Sequence, residues 1–417
     1  MVSVIVPVYN TENYVSECLD SLINQSFVDI EILCINDGST DNSLNILCDY
    51  ADRDTRIRVV TQKNCGPACS RNKGVQLARG EYIYFMDSDD VLDDNAIQKL
   101  YDIAEINKSE VVFFDGSAFF ETESLEKKFP CYKSEYEKFD EINGVVDGIQ
   151  LLDWYEKYNK FVVSPCLVFL RKDYLIKHKI NFYNDILYED NLFHIKLLLA
   201  LRNGYVLHEK LFYRRVRNNS IMTTQKKSFK HIYSYFVCYY ELVRLIPTFE
   251  VIGKDNCLAL MLNIFYRSIL NVAMDLKGDR LSVDDIKYHK KLSIIQKELL
   301  AQLGVVVKPE LSSITKYCAG YTHIVVYGAS AIGTEICRYL KPVRKIEIVD
   351  RVMRVLPKDL DLVLKKPEDL CGTKADVIVV TVKSEAVAEG IKEQLWTKYG
   401  VNKDKVLWYG ECVDYYL

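Results

Sequence analysis

The chain places four polar residues, Asp87-Ser88-Asp89-Asp90, at the end of an apolar run, Tyr82-Ile83-Tyr84-Phe85-Met86. An acid at the end of a buried strand must find water, a cation or a metal-bound phosphate, because an unpaired buried charge is very costly. Two acids one residue apart suit a hard divalent ion such as Mn²⁺ or Mg²⁺, held by oxygen ligands with substrate phosphates filling the remaining positions. In isolation the same tetrapeptide reads as an acidic turn before a helix, with Asp93-Asp94-Asn95 as caps. What weighs against that reading is the company it keeps.

Two further apolar runs, Val2 to Val8 and Ile30 to Ile35, end in Tyr9-Asn10 and in Asn36-Asp37-Gly38-Ser39. Short, mostly apolar runs suit strands of a parallel sheet covered on both faces. Between the first two, Tyr14, Val15, Cys18, Leu19, Leu22 and Ile23 share one helical face, with Thr11 as the expected N-cap. Strand–helix alternation predicts right-handed crossovers and an open, doubly wound α/β sheet. Ligands of such sheets bind outside the carboxyl ends of the strands, where Asn10, Asp37, Asp87 and Asp89 all fall. One site is expected rather than four unrelated loops.

Val4 to Asn10, Asn36 to Asp41, Arg71-Asn72-Lys73-Gly74, Gly80-Glu81-Tyr82 and Asp87 to Asp90 resemble, in order and spacing, the family 2 glycosyltransferases of the GT-A nucleotide-diphospho-sugar transferase fold. The resemblance spans roughly the first hundred residues, with Ser70 where these proteins usually carry Ala. It implies transfer of a sugar from a nucleotide diphosphate donor to a hydroxyl with inversion, by a metal-dependent enzyme. Pro7, Tyr9 and Asn10 would then wall a nucleoside pocket. Asp37, an acceptor when ionised, suits the imino N–H of uracil and would read the base, so that the donor is a UDP-sugar. Arg71 would bring a delocalised cation to the nucleotide. Asp87 and Ser88 would face the ribose and diphosphate, and Asp89 would ligate the metal.

Asp115 to Lys160 resembles the variable region in which such enzymes read the acceptor, a glycan or lipid-linked glycan. Beyond it, Leu192, Ile195, Leu198 and Leu199 recur at helical spacing, which puts Glu189 and Asp190 at a helix N-terminus. The helix dipole alone is a sufficient reason for acids there. The resemblance instead makes Asp190 the general base that deprotonates the acceptor, with Glu189 as the second candidate. Arg214, Arg215 and Arg217 resemble a closing segment that clamps the departing diphosphate, against the alternative of a basic solvated strand. Many GT-A enzymes add a histidine metal ligand near this point. Here Thr223-Thr224 follow Ser220, and His208, upstream, is the candidate metal ligand.

With 54 Lys plus Arg against 58 Asp plus Glu, the net charge of −4 argues against a general nucleic-acid binder. The chain begins almost directly in its first strand, and no apolar run reaches the roughly 18 residues of a membrane span. The thirteen cysteines are scattered and odd in number, so they are expected as reduced thiols, and Cys65 and Cys69 lack the second pair a zinc site needs. These features imply a cytoplasmic protein, in peripheral contact with the inner membrane face if an interfacial helix meets a lipid-linked acceptor.

Three domains are expected: 1–225 as the GT-A domain, 226–318 as a helical connector and 319–417 as a Rossmann-like α/β domain, a scaffold that leaves room for a homo-oligomer. In the connector, Tyr233, Phe236, Val237, Tyr240 and Val243 recur at helical spacing, as do Leu258, Met261, Leu262, Phe265 and Ile269. In the last domain, Gly328 and Gly333 match the first and third glycines of the dinucleotide fingerprint, Ser330 replaces the second, and Asp350 lies near the distance of a ribose carboxylate. Two rival functions remain at this point: a catalytically silent nucleotide-sugar-binding scaffold, and an oxidoreductase built on the C-terminal domain.

Overall fold

The computed structural model describes residues 1–137, 142–158, 161, 163–218, 220, 227–245, 255–276, 280–302, 305 and 307–416. The chain divides into two compact units, Met1–Val272 and Ala273–Leu417. The helical stretch expected as a connector thus contributes to both. Thr223-Thr224, and the expected boundary after residue 225, lie outside the described residues.

The first unit is built on β1 (Val2–Val8), β2 (Ile30–Asn36), β3 (Ile57–Thr61), β4 (Tyr82–Phe85), β5 (Val91–Leu92), β6 (Val111–Phe120), β7 (Gly144–Val146), β8 (Val168–Arg171) and β9 (Gly204–Val216). Their order is β3-β2-β1-β4-β8-β6-β9-β5, with β7 on β9. The first four run parallel, linked by helices α1 (Val15–Ile23), α2 (Ser43–Arg53) and α3 (Pro67–Leu77). The doubly wound pattern stops at β4, because β8 joins it antiparallel and β6 joins β8 antiparallel. The sheet is therefore mixed, unlike the all-parallel arrangement that strand–helix alternation suggests.

Burial on both faces explains the apolar runs. Ile5, Leu33, Ile83 and Phe85 enter one core, while Val4, Val6, Cys34, Tyr82 and Tyr84 enter the other. Pro7 sits in β1 at no cost to the ladder. Residues Val6 and Val8 face β2, where Val8 C=O accepts from Asp37 N–H at 2.8 Å, so Pro7 faces β4. Pairing with β4 ends at Ile5–Phe85, and no donor is needed at residue 7. Gly74 lets α3 lie close on β1, since a Cβ there would come within 2.3 Å of Ile5 Cγ2.

Thr11 does not cap α1 with its side chain. Its carbonyl accepts from Tyr14 and Val15 N–H, while its hydroxyl bonds Ser88 Oγ at 3.1 Å. The helix Phe229–Leu245 buries Phe229, Ile232, Phe236, Cys238 and Leu242, and leaves Tyr240 and Val243 exposed. The buried stripe is rotated from the aromatic one, because the polar Ser234 and His231 are drawn inward. The helix Asp255–Asp275 follows with Phe265 and Ile269 buried; the side chains of Leu258 and Met261 lie outside the described residues. No described helix is long and apolar enough to cross a membrane.

The second unit holds a small antiparallel sheet of β10 (Arg280–Leu281), β11 (Lys308–Glu310) and a C-terminal strand, Asp414–Tyr416. Its main sheet is parallel, formed by β12 (His323–Tyr327), β13 (Lys345–Val349), β14 (Leu364–Lys365), β15 (Val377–Val380) and β16 (Val406–Trp408) in the order β14-β13-β12-β15-β16. The expected strand–helix–strand pattern is present, with a helix at Ala331–Leu340.

Candidate active site

Two residues past Phe85, the end of β4, stands Asp87, and Glu189 opens the helix Glu189–Ala200. Aromatic packing sets these two elements against each other. Phe85 meets Phe182 and Phe193 edge-on at 5.2 and 5.9 Å, and Phe182 stacks on Phe193 at 3.9 Å between centroids. Phe193 lies one helical turn after Glu189, so burying it beside Phe85 brings the acidic first turn to the end of β4.

Arg71, from α3, closes the gap. Its Nη2 donates to Asp87 Oδ1 at 2.8 Å and its Nη1 to Glu189 Oε1 at 3.2 Å. The guanidinium lies over the Phe182 ring and is 6% exposed. Burial pulls against its charge, but Asp87 and Glu189 outweigh that and hold its pKa above the ordinary value. Its Nε is buried without a hydrogen-bond partner, an orphan that calls for a ligand or a water. Burial pushes the Asp87 carboxyl up while Arg71 pulls it down, and the arginine prevails, leaving it below the usual range.

Asp190 is different. Its Oδ1 accepts the Asn191 N–H at 2.8 Å, and it makes no ion pair with any described residue. Burial, only partly offset by Arg71, raises its pKa above the ordinary carboxylate value. Glu189 is also raised by burial, but it is already engaged by Arg71. Of the two acids, Asp190 has the freer carboxylate.

The other strand ends are tied to this place through their loops. Asp37, 3% exposed, accepts from Gln62 Nε2 at 2.8 Å, Cys65 N–H at 3.0 Å and Gly66 N–H at 2.8 Å. It thereby fastens the turn that starts α3, and with it Arg71. About one of a carboxylate's four acceptor positions is left for a base. Asn10 adopts a positive φ of 51° and its side-chain oxygen accepts from Thr40 N–H at 2.8 Å, which joins the end of β1 to the Asp37 loop. Tyr9 beside it is 49% exposed. Cys65 and Cys69 form a disulfide, contrary to the expectation of reduced thiols throughout. Their i, i+4 spacing across the start of α3 brings the Cα atoms to 5.9 Å, within disulfide range.

The arginines of β9 and the residues just after it divide their roles. Arg217 Nε donates to Asp89 Oδ2 at 2.7 Å, and its guanidinium covers Tyr14. Arg215 takes the Asp89 carbonyl through Nε, and its N–H donates to Asp90 Oδ1. Arg214 donates to Tyr136 OH at 2.5 Å, and the acids at 87, 89 and 90 favour its charge despite burial. All three face the acidic turn, which the sequence alone left open. His208 lies earlier on the same strand, with Nδ1 2.5 Å from the buried Asp115 Oδ2.

Among the described residues, the potential metal-ligand atoms that gather within 4.8 Å of one another belong to Asp87, Asp90 and Cys166. His208 is not among them, and Asp89 is held by Arg217. Carboxylates suit a hard divalent ion, and Asp87, Asp89 and Asp90 sit in one turn. The Cys166 thiol does not fit it, because burial pushes its pKa well up and keeps it protonated. Asp90 was legible as part of the acidic run but not as its most buried member. Cys166 carried no spacing signal at all.

Comparison with known proteins places these elements. Residues 3–178 match the family model "Glycosyl transferase family 2". The chain is 34% identical over 224 residues to the uncharacterized glycosyltransferase EpsJ of Bacillus subtilis, a match covering 53% of this chain and 62% of that protein. It is 42% identical over 114 residues to the poly(ribitol-phosphate) beta-glucosyltransferase of Bacillus spizizenii, covering 26% of this chain and 18% of that one. The chain thus spans less than two thirds of the length of these relatives. The crystal structure of S. aureus TarS 1-349 in complex with UDP-GlcNAc superposes with a TM-score of 0.56 at 22% identity, covering 76% of this chain and 87% of that one.

Proposed function

From the family 2 glycosyltransferase domain that residues 3–178 carry, we propose that the chain transfers a sugar from a nucleotide diphosphate donor, a UDP-sugar, to a hydroxyl of a glycan or lipid-linked glycan in cell-surface polysaccharide synthesis, with inversion. The observation that carries this reading is the Arg71 bridge, which brings the acidic turn after β4 and the acidic first turn of the helix Glu189–Ala200 to one point and, among the described residues, leaves Asp190 outside any ion pair. A UDP-sugar donor is supported by the fold shared with a protein crystallised with UDP-GlcNAc, and the acceptor class by the names of relatives.

In the proposed reaction Asp190 accepts the proton of the acceptor hydroxyl. The acceptor oxygen forms its bond to the anomeric carbon as the bond to the donor diphosphate breaks on the opposite face, which inverts that centre. Arg214 and Arg217 lie where guanidinium groups would offset the negative charge of the departing diphosphate. Asp87, Asp89 and Asp90 would hold Mn²⁺ or Mg²⁺, which would supply further positive charge to that leaving group. Arg71 orients Asp87 and Glu189, Pro7, Tyr9, Asn10 and Asp37 would form the nucleoside side, and Ser88 is held by the Thr11 hydroxyl. The division at 225 and 318 remains our proposal for the functional domains.

The test is release of nucleoside diphosphate from a panel of nucleotide sugars with Mn²⁺ or Mg²⁺ and a surface-glycan acceptor. Acceptor-dependent release that fails in Asp190→Asn is the expected result. Donor binding with no release from any sugar would instead leave a silent nucleotide-sugar-binding scaffold.

A further inference from the structure

The second unit has a cavity of its own, of about 420 Å³. It is lined by the residues that follow three adjacent parallel strands: Gly328 to Ile332 after β12, Asp350 to Arg354 after β13, and Thr381 to Lys383 after β15. In the order β14-β13-β12-β15-β16, strand order reverses at β12, so the cavity opens at the sheet's topological switch point. Nothing in the proposed transferase reaction uses it.

Its backbone is shaped as a cradle. Gly328 has φ +116°, and a Cβ on Gly333 would stand 1.8 Å from Gly328 O, so the helix Ala331–Leu340 starts hard against the end of β12. Thr381 Oγ1 donates to Gly328 O at 2.9 Å and locks that turn to the end of β15. Charge on the lining is unbalanced. Arg351, Arg354 and Lys383 face one carboxylate, Asp350, which already accepts Ala329 N–H at 2.7 Å and Val352 N–H at 3.0 Å. Arg351 Nε is oriented by Tyr327 OH at 3.1 Å, and Lys383 makes no ion pair with any described residue. Apolar walls come from Ile332, Val352, Val382 and Ile391.

We infer that this cavity binds a phosphorylated nucleoside smaller than a dinucleotide. The cations and the turn before the helix suit a phosphate, the apolar walls suit a base, and the spare lone pairs of Asp350 suit ribose hydroxyls. The volume lies toward the lower end of ligand sites, roughly 300–1,000 Å³. Ser330 excludes a dinucleotide: a side chain stands where pyrophosphate needs bare backbone, and its hydroxyl caps Gly333 N–H at 3.4 Å.

The test is calorimetric titration of the full chain with AMP, ADP, GDP, CDP, UDP, NAD⁺ and inorganic phosphate, on the wild type, on Arg351→Ala/Lys383→Ala and on Ser330→Asp. The two basic residues are exposed, so their loss spares the core. Aspartate caps a helix as well as serine, yet sets a carboxylate against the phosphate. We expect a nucleoside mono- or diphosphate that binds at least tenfold more tightly than phosphate or NAD⁺ and loses at least tenfold in both variants. Binding at the N-terminal site does not change in these variants, so the result stands or falls apart from the donor reading. Nucleotide affinities equal in all three proteins would overturn the inference. So would phosphate binding as tightly as every nucleotide, or NAD⁺ as the tightest variant-sensitive ligand.

Discussion

The two α/β units use one architectural device for different ends. In both, acids stand where parallel strands finish. In the first, Asp87 is buried beside Arg71, and the pair extends to Glu189 on a helix contributed by a distant stretch of chain. In the second, Asp350 accepts two neighbouring backbone N–H groups and has Arg354 Nε 4.0 Å away, keeps lone pairs to spare, and lines an open cavity together with Arg351 and Lys383. The first arrangement is pre-paired, which suits the proposed transfer, where a reacting bond must be closely aligned. The second, with three cations and one carboxylate on its lining, suits holding an anion. Shared topology says where a ligand binds, and the side chains say whether anything is done to it.

The contrast breaks first at the acidic turn. Asp89→Ala is expected to abolish transfer and divalent-dependent donor binding, because a hard cation loses a charged oxygen. Wild-type activity of this variant, after chelation and metal resupply, would remove Asp89 from the metal site. Next, Asp190→Asn should lower turnover at least about a hundredfold with little change in donor affinity. Burial raises the Asp190 pKa, and a base must be ionised, so wild-type turnover should fall as pH drops through that raised value. The acid limb should lie above the ordinary carboxylate range near about 3.9 and vanish in the variant. A pH–rate profile identical in both proteins would assign the proton to another group.

Asp37 provides a smaller effect. It can accept from the imino N–H of uracil, whereas cytosine presents an acceptor there. Leaving a buried acceptor pair unbonded costs roughly 1–3 kcal/mol, so UDP should bind at least about tenfold more tightly than CDP. Equal affinities by titration would confine Asp37 to fastening the Gln62–Gly66 turn. The smallest difference compares the units through their close-packed glycines. Gly74→Ala and Gly333→Ala should each cost about 1–3 kcal/mol by overpacking. Gly333→Ala should be the worse of the two, since Ile5 can turn its side chain aside and the Gly328 carbonyl cannot. Calorimetric melting of both variants decides it, and a larger loss in Gly74→Ala would reverse the ranking.

Much of the first unit is readable from local pattern. Continuous apolar runs mark β1, β2 and β4 because those strands are covered on both faces, and each run gives way to polar residues at the strand's carboxyl end. The acids of the helix Glu189–Ala200 are readable from helical spacing, and the second unit's strands from the same kind of run. Other features needed the folded chain. Thr11 carries the residue type of a cap, yet its hydroxyl is taken by Ser88, 77 positions away. The aromatic stripe of the helix Phe229–Leu245 overlaps the buried face only in part: Phe236 is buried and Tyr233 and Val237 pack against the core, while Tyr240 and Val243 are exposed and the polar Ser234 is drawn inward.

Spacing and hydropathy, then, set down which segments become strands and helices and which acids stand at their ends, since both depend on interactions within a few residues. The shared partner of Asp87 and Glu189 followed from packing across the sheet. Arg71 and Glu189 are 118 positions apart and meet because Phe85, Phe182 and Phe193 share a core. That contact, and not the residue types, separates Glu189, engaged by Arg71, from Asp190, which makes no ion pair with any described residue.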